Sequence, residues 1–205
     1  KVDVVCQSDF QLIKCIFYEK EILMLRVISG KYRSRKLKEV KQMGTRPTTD
    51  KNKEILFNTL GQFFNGGKML DLFSGSGALG IEAYSRGFSF CDLVENSSLA
   101  IKTIRENLKS LNIEKDVLVY KEDVFNYLKA TKSKYDLIIA DPPYEKNVYD
   151  ELLFTIDSRQ LLNDGGIIVM ESEKELLLTE HFGSLVKTKE KFAGNTKFTF
   201  YEREN

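Results

Sequence analysis

The sequence predicts an α/β protein built on a doubly wound, mostly parallel sheet, with a C-terminal antiparallel hairpin and a small basic hairpin near its N-terminus. Three observations support this fold. Apolar strand-like runs alternate with helical segments between Lys68 and Glu171. A glycine-rich turn follows the first of these strands. The end of the chain shows two alternating segments on either side of Gly194-Asn195, which is typical of antiparallel strands joined by a turn.

Length and composition narrow the function classes. A chain of 205 residues accommodates one catalytic domain of this type, but not two full-sized enzyme domains with a linker. The composition is typical of soluble globular proteins, and no run approaches the roughly 18 apolar residues that a transmembrane helix needs. Three cysteines without C-x-x-C spacing and a single histidine argue against a zinc site, a disulfide framework and Ser-His-Asp catalysis. We therefore expect a cytoplasmic protein without a metal and without a membrane partner.

The chain divides into three parts. Residues 1–23 show neither alternation nor a clean helical stripe, so we interpret them as an upstream translated extension or an added segment before Met24, with a native N-terminal helix as the alternative. Residues 24–66 are expected to hold the basic hairpin and one helix. Residues 67–205 are expected to form the catalytic domain.

Residues 24–66 are predicted to form a hairpin followed by a helix. The hairpin runs from Leu25 to Leu37, with Gly30 near its turn. Thr49 or Asp50 caps the following helix, which runs to about Phe64 before a glycine pair ends it. Its apolar side chains are expected on one face: Ile55, Leu56, Leu60 and Phe63.

Strands and helices then alternate through the catalytic part. The predicted strands are Lys68–Phe73, Ser89–Val94, Val117–Tyr120, Tyr135–Ala140 and Ile167–Glu171. The predicted helices are Ala78–Ser85, Ser97–Leu111, Val124–Ala130 and Val148–Thr155, with a short helical piece at Gln160–Leu162. The final hairpin consists of Leu185–Phe192 and Lys197–Glu202.

A glycine-rich segment, D-L-F-S-G-S-G-A-L-G, begins at Asp71, at the end of the first predicted strand. Glycines there allow a backbone to approach a ligand closely. The same pattern is typical of dinucleotide sites, so it indicates a ribose-bearing cofactor, either NAD or S-adenosylmethionine. Asp71 favours S-adenosylmethionine, because a carboxylate would repel a pyrophosphate but attract a cationic aminoacyl group. We expect Phe73, Gly75 and Gly77 to contact the cofactor, the alternative being a tight turn without a ligand.

Two more acids follow the next two strands. Glu95 lies 20 residues after Gly75, where a carboxylate can accept hydrogen bonds from both ribose hydroxyls. The alternative is a solvated acid at a strand end. Asp123 follows the third strand, where it can accept from an adenine amino group, cap the next helix, or do both. The neighbours Asn96 and Val124 complete the predicted cofactor site.

The fourth strand ends in the tetrapeptide Asp141-Pro142-Pro143-Tyr144. The two prolines fix the backbone and remove two amide donors, so carbonyl acceptors can point into the site. Asp141 and a neighbouring carbonyl can then hold both hydrogens of an exocyclic amine, while Tyr144 stacks on the base. This arrangement aims the nitrogen lone pair at a methyl donor and needs neither a metal nor a covalent nucleophile. A rigid turn without catalytic function is the alternative.

Positive charge is concentrated near the N-terminus. Between Arg26 and Lys53 there are ten basic residues and two acidic ones, which gives this segment +8 and the rest of the chain −7. A phosphate backbone is the partner that such a distribution favours, although lysine-rich hairpins can also be ordinary solvated surfaces. The predicted RNA contacts are Lys31, Arg33, Arg35, Arg46 and Thr48.

The D-P-P-Y tetrapeptide together with the glycine motif resembles class I, Rossmann-like methyltransferases that act on exocyclic amines. More narrowly, R-V-I-S-G-K-Y-R from Arg26 and R-P-T-T-D from Arg46 resemble the bacterial 16S ribosomal RNA guanine-N2 methyltransferases of the RsmD type. The resemblance covers about Leu25 to Arg203, and the segment before it is the departure. It implies S-adenosylmethionine-dependent methylation of one guanine N2 in 16S rRNA, within the small ribosomal subunit or its assembly intermediate. We expect the enzyme to be a monomer.

Three other functions are open to these residues. An adenine-N6 DNA or RNA methyltransferase would use the same tetrapeptide, but the chain leaves little room for a separate sequence-reading domain. An NAD-dependent oxidoreductase would use the glycine motif, but a convincing acid/base group for hydride transfer is missing. An inactive RNA-binding assembly factor would not need Asp71, Glu95 and Asp141 together.

Overall fold

The structure, a computed structural model, describes residues 25–40, 49–142 and 146–204. The proposed extension therefore lies outside the described residues, as do four predicted site residues: Arg46, Thr48, Pro143 and Tyr144.

Eight strands and five helices form the described part of the chain. The strands are β1 (Lys68–Leu72), β2 (Phe90–Glu95), β3 (Val117–Lys121), β4 (Tyr135–Ala140), β5 (Leu162–Glu173), β6 (His181–Phe182), β7 (Leu185–Ala193) and β8 (Thr196–Arg203). The helices are α1 (Asp50–Leu60), α2 (Ala78–Ser85), α3 (Ser98–Leu111), α4 (Val124–Ala130) and α5 (Lys146–Ser158). The alternation that the sequence predicted is confirmed from β1 to β5.

The strands form one sheet in the order β3-β2-β1-β4-β5-β8-β7-β6. Strands β1 to β5 pair in parallel, and β8, β7 and β6 continue the sheet in antiparallel pairs. The chain goes from β1 to β2 in one direction and returns to place β4 on the other side of β1. In a doubly wound sheet, ligands bind at the carboxyl ends of the strands where the order reverses. The topology therefore predicts a ligand site at the carboxyl ends of β1, β2 and β4.

Apolar side chains cover both faces of this sheet. Along β4, Leu137 and Ile139 face one hydrophobic cluster, while Ile138 and Ala140 face the other. The first cluster contains the N-terminal hairpin with α1, α2 and α3, and the second contains α4 and α5. Strands buried on both faces explain why the parallel part of the sequence reads as continuous apolar runs.

The predicted N-terminal hairpin is confirmed and is bound to α2 by a buried acid. Arg26 and Lys36 form an antiparallel bridge. The Glu82 carboxylate is fully buried and accepts hydrogen bonds from the amides of Ile28 and Ser29, at 2.8 and 3.0 Å. Gly30 has φ +81°, and a Cβ there would lie 1.8 Å from the Ser85 carbonyl oxygen. The turn therefore requires glycine both for its conformation and for its close approach to α2.

The predicted end of the first helix was wrong. Helix α1 stops at Leu60, since Gly61 has φ +115°, and Phe63 is 63% exposed instead of facing the core. The fully buried apolar residues of α1 are Leu56 and Phe57.

The helical piece predicted at Gln160–Leu162 was also wrong. Gln160 has φ +52°, which breaks the backbone after α5, and Leu162 already belongs to β5. Leu162 pairs with Tyr135 at the start of β4, so strand pairing determines its conformation. The short strand β6 was not predicted. Among the described helices, none is long and apolar enough to cross a membrane.

Candidate active site

The carboxyl ends of three neighbouring strands bring the predicted acids together. Strand β1 lies between β2 and β4, and Leu72 is in register with Val94 and Ala140. Asp141 follows β4 directly, and its amide donates to the Leu72 carbonyl oxygen at 3.5 Å. Asp71 near the end of β1, Glu95 at the end of β2 and Asp141 after β4 consequently border one crevice, which we call the acidic crevice.

Asp71 is the most deeply buried of these acids. Its side chain is 2% exposed, and Oδ2 accepts a hydrogen bond from the Gly80 amide at 3.0 Å. Burial, together with the negative charges of Asp141 and Glu95, raises the pKa of Asp71 to about 7 in spite of the Gly80 hydrogen bond. A nearby cation would relieve this unfavourable charge.

Asp141 is half-buried at the mouth of the same crevice, and Pro142 after it is buried. Burial raises the pKa of the Asp141 carboxyl to about 6. A carboxyl with this pKa is largely ionised at neutral pH and can still accept a proton from a reacting group.

The glycine loop between β1 and α2 has an unusual backbone. Phe73 has φ +61°, and Gly75 and Gly77 have φ +54° and +76°. A positive φ is uncommon in a residue with a side chain and tends to occur at ligand sites. A Cβ built on Gly75 meets no atom within 4 Å, so its backbone borders open space. Ser74 anchors the loop, since its amide donates to the Val94 carbonyl oxygen at 3.1 Å.

Glu95 reaches from β2 to this loop. Its Oε2 accepts from the Gly75 amide at 2.9 Å, and its Oε1 accepts from the amides of Asn96 and Ser97 at 2.9 and 2.8 Å. A carboxylate has about four acceptor positions, so about one is left for a ligand. Glu95 is thus part of the loop's own framework as well as a candidate ribose acceptor, a dual role that the sequence did not predict.

Asp123 caps helix α4, which is one of the two functions predicted for it. Its Oδ1 accepts from the amides of Phe125 and Asn126 at 3.0 and 3.1 Å. The side chain is exposed, whereas Val124 beside it is buried. Asn96 is exposed at the rim next to Glu95.

The sequence reasoning missed Asn107, which connects the glycine loop to the basic N-terminal segment. The side chain is 1% exposed on α3, and its Oδ1 accepts from the Lys38 amide at 2.7 Å. Its Nδ2 donates to the carbonyl oxygens of Lys38 and Ser76, at 3.0 and 3.1 Å. The available signal was an amide beside Leu108 on the apolar face of a predicted helix, because a buried amide requires partners.

The described basic residues of the hairpin lie on its surface. Lys31, Arg33 and Arg35 are all exposed. The Arg35 guanidinium also donates to the Ser110 carbonyl oxygen at 3.1 Å, which places it beside the end of α3. The surface is accessible, as an RNA contact requires.

Within the described residues, no cluster of three or more histidine, cysteine, aspartate or glutamate side chains could hold a metal ion.

Comparison with known proteins places this geometry in a family. The family model described as Conserved hypothetical protein 95 matches residues 25–202. YlbH of Bacillus subtilis (strain 168) is 44% identical over 182 residues, covering 87% of this chain and 99% of YlbH. Ribosomal RNA small subunit methyltransferase D of Escherichia coli (strain K12) is 32% identical over 180 residues, covering 88% and 90% of the two chains.

Solved structures agree with these relatives. YhhF from Escherichia coli superposes with a TM-score of 0.75 at 32% identity, covering 88% of this chain and 98% of YhhF. Sequence and fold agree over the same span that carries the glycine loop and the acidic crevice. The chain therefore belongs to the ribosomal RNA small subunit methyltransferase D family, as its motifs predicted.

Proposed function

We propose that this chain transfers a methyl group from S-adenosylmethionine to the exocyclic N2 of one guanine in 16S rRNA. The observation that carries this proposal is the acidic crevice, in which Asp71, Glu95 and Asp141 border the glycine loop at the reversal of strand order. The proposed substrate is the small ribosomal subunit or its assembly intermediate, and the proposed enzyme is a cytoplasmic monomer.

The residues of the crevice fit S-adenosylmethionine. The carboxylates of Asp141 and Glu95 lie close enough to Asp71 to raise its pKa, so the crevice carries negative charge. This charge would attract the ammonium and sulfonium groups of S-adenosylmethionine. The open space at Gly75 leaves room for a ligand against the loop backbone. We assign the aminoacyl end to Asp71 and the loop residues Phe73, Gly75 and Gly77. When bound, the cofactor supplies an electrophilic methyl group.

The nucleoside end is assigned to the rim of the crevice. Glu95 and Asn96 would contact the ribose. Because the Glu95 carboxylate already accepts from three backbone amides, it has about one acceptor position for a ribose hydroxyl, and a second would require one of those amide hydrogen bonds to break. Asp123 keeps Oδ2 outside its capping bonds, so it can accept from the adenine amino group while it caps α4, with Val124 beneath the ring.

Asp141 is assigned to the target base. Its carboxylate would accept a hydrogen bond from the exocyclic amine and orient the nitrogen lone pair along the line of transfer. As the new N–C bond forms, the nitrogen must lose a proton, and a carboxyl with a pKa of about 6 is suited to accept it. Pro142 contributes no amide donor that could compete with the amine. Pro143 and Tyr144 complete this part of the proposal, the latter as a stacking surface.

The relatives support the RNA substrate. The Escherichia coli relative is named for methylation of small-subunit ribosomal RNA, and this chain covers 90% of it. The choice of guanine N2 depends on the resemblance of the motifs that begin at Arg26 and Arg46 to those of the guanine-N2 methyltransferases. The hairpin cations Lys31, Arg33 and Arg35, with Arg46 and Thr48, are proposed to dock the RNA.

Nucleoside mapping in a strain that lacks the gene tests this function. We expect one N2-methylguanosine of the small-subunit rRNA to disappear, and a wild-type copy to restore it. The Asp141→Ala copy should not restore it. Loss of an N6-methyladenosine instead would support the adenine alternative, and an unchanged set of modified nucleosides would refute the proposed function.

A further inference from the structure

We propose that the exposed face of α3 is a second RNA-docking surface, which continues the basic hairpin and extends to the cofactor site. This inference rests on the proposed function, because it specifies how the same RNA substrate is held. Its ligand is a run of phosphates along an RNA backbone.

Helix α3 carries a stripe of exposed cations. Lys102, Arg105 and Lys109 are exposed, while the residues on its other side, including Ile104 and Leu108, are buried in the core. The spacing of three and four residues places the three cations on one face of the helix. Among the described residues, none of the three takes part in an ion pair. Lys109 lies seven residues after Lys102, which is about 10 Å along the helix. That length suits a polyanion better than a single phosphate ion.

The stripe borders a concave surface. A pocket of about 390 Å³ is lined by Lys102, Arg105 and Lys109 together with Lys121 and Ser98. Lys121 ends β3 in register with Glu95, so one end of the pocket lies next to the acidic crevice. A phosphate bound at Lys121 would lie beside the Glu95 side of the crevice, three strands away from Asp141.

Glu106 is the one acid among the described residues that line this pocket, and the segment after the hairpin neutralises it. Its Oε2 lies 2.8 Å from Lys38 Nζ, and this hydrogen bond and charge, with a smaller contribution from Lys102, lower the pKa of Glu106. The ion pair is exposed and contributes little stability, but it cancels a charge that would otherwise repel phosphate. The net positive charge of the face is therefore preserved.

The surface is continuous with the hairpin. Arg35 donates to the carbonyl oxygen of Ser110, one residue after Lys109. Asn107 binds both backbone groups of Lys38 from the buried side of the same helix. The hairpin and α3 therefore form one rigid cationic surface, so a strand bound by the hairpin can follow α3 towards the crevice.

A triple variant, Lys102→Gln with Arg105→Gln and Lys109→Gln, tests the surface. Its affinity for small ribosomal subunits is measured by fluorescence anisotropy over a range of salt concentrations. Each lost phosphate contact reduces the log–log slope by about 0.7 to 0.9, so we expect the slope to become shallower by about two units. The affinity for S-adenosylmethionine, measured by calorimetry, should stay unchanged because none of the three side chains belongs to the crevice.

The matched control removes three exposed cations elsewhere. The control variant combines Lys129→Gln, in the last turn of α4, with Lys132→Gln and Lys134→Gln, in the segment that leads to the amino end of β4. This control should bind subunits with the wild-type slope. An unchanged slope in the α3 variant would overturn the proposal, and so would an equal loss in the control, which would reflect net charge alone. Loss of binding to phosphatidylglycerol vesicles with intact subunit binding would make the face a lipid surface and also refute the proposal.

The test separates this inference from the proposed function. If wild-type protein methylates no RNA but its subunit binding weakens in the α3 variant alone, the docking surface stands and the proposed chemistry fails. If methylation proceeds but both triple variants bind like wild type, the chemistry stands and α3 has no role in docking.

Discussion

The acidic crevice and the basic face of α3 lie side by side, but they differ in burial. Asp71 is almost completely buried, and the environment raises its pKa to about 7. Lys102, Arg105 and Lys109 are open to solvent. Charges in a low-dielectric crevice interact strongly over short distances, whereas exposed charges are weakened by water and salt. The crevice can therefore select one small cation, and the helix face can hold a polyanion only through many weak contacts.

Helix α3 belongs to both regions. Its buried Asn107 supports the glycine loop through Ser76, and its exposed side carries the cations. One helix thus fixes the position of the docking surface relative to the cofactor loop. Substitutions in the crevice should change chemistry or cofactor affinity by large factors, and those that act through α3 should have smaller effects.

The largest effect is expected for Asp141→Ala. We predict that methyl transfer falls by about 100-fold or more, because the amine is no longer oriented and its proton has no acceptor. The affinity for S-adenosylmethionine should change by no more than a few-fold. Single-turnover assays and calorimetry measure the two quantities. Asp141→Asn, which keeps the shape but cannot accept a proton readily, should also be slow, and wild-type turnover in either variant would remove Asp141 from the mechanism.

Glu95→Ala should weaken S-adenosylmethionine binding by about 10- to 100-fold, since a hydrogen bond to a charged group contributes about 1.5–3 kcal/mol. The loss of its bonds to the Gly75, Asn96 and Ser97 amides should loosen the loop as well. Calorimetry gives the dissociation constant, with Glu122→Ala as an exposed neighbouring control. An unchanged constant would leave Glu95 a purely structural acid, and comparable binding of NADH would favour the dinucleotide alternative.

Asp71 should make the cofactor-free protein less stable as pH rises from about 4 to 7. Its pKa in the folded state, about 7, exceeds the ordinary value of 3.8, so the folded protein binds this proton more tightly than the unfolded chain does. Asp71→Asn removes the buried charge, so the variant should be more stable than wild type above pH 7 while binding the cofactor less tightly. Melting temperatures at pH 5 and pH 8 test this, and a difference between the two proteins that does not grow with pH would contradict it.

The smallest effect is expected for Asn107→Ala. It leaves the backbone groups of Lys38 and the carbonyl oxygen of Ser76 without their side-chain partner. Unsatisfied buried groups cost about 1–3 kcal/mol, which should appear as a lower free energy of unfolding in urea. Ser110→Ala, on the exposed side of the same helix, loses one hydrogen bond to the Asn107 carbonyl oxygen and should lower the stability less. Equal stabilities of the two variants would mean that Asn107 does not join the two regions.

Local sequence patterns predicted the parallel strands, because these strands are apolar runs. The same patterns placed Asp71, Glu95 and Asp141 at strand ends, and the structure brings those ends together. They failed where distant contacts decide the backbone. The chain leaves α1 at Gly61, and Phe64 then packs on Phe88 with ring centroids 4.4 Å apart, a contact that no helical pattern reveals. Likewise, the partners of Asn107 lie up to 69 residues away, so their identity depends on the assembled fold.

The central claim is that the acidic crevice directs methyl transfer to a guanine amine of small-subunit RNA. The most direct measurement incubates the purified protein and labelled S-adenosylmethionine with small subunits from a strain that lacks the gene, then separates the nucleosides after digestion. We predict that label appears in N2-methylguanosine from the rRNA with wild-type protein and is nearly absent with Asp141→Ala. Label in another nucleoside, or equal labelling by the two proteins, would contradict the claim.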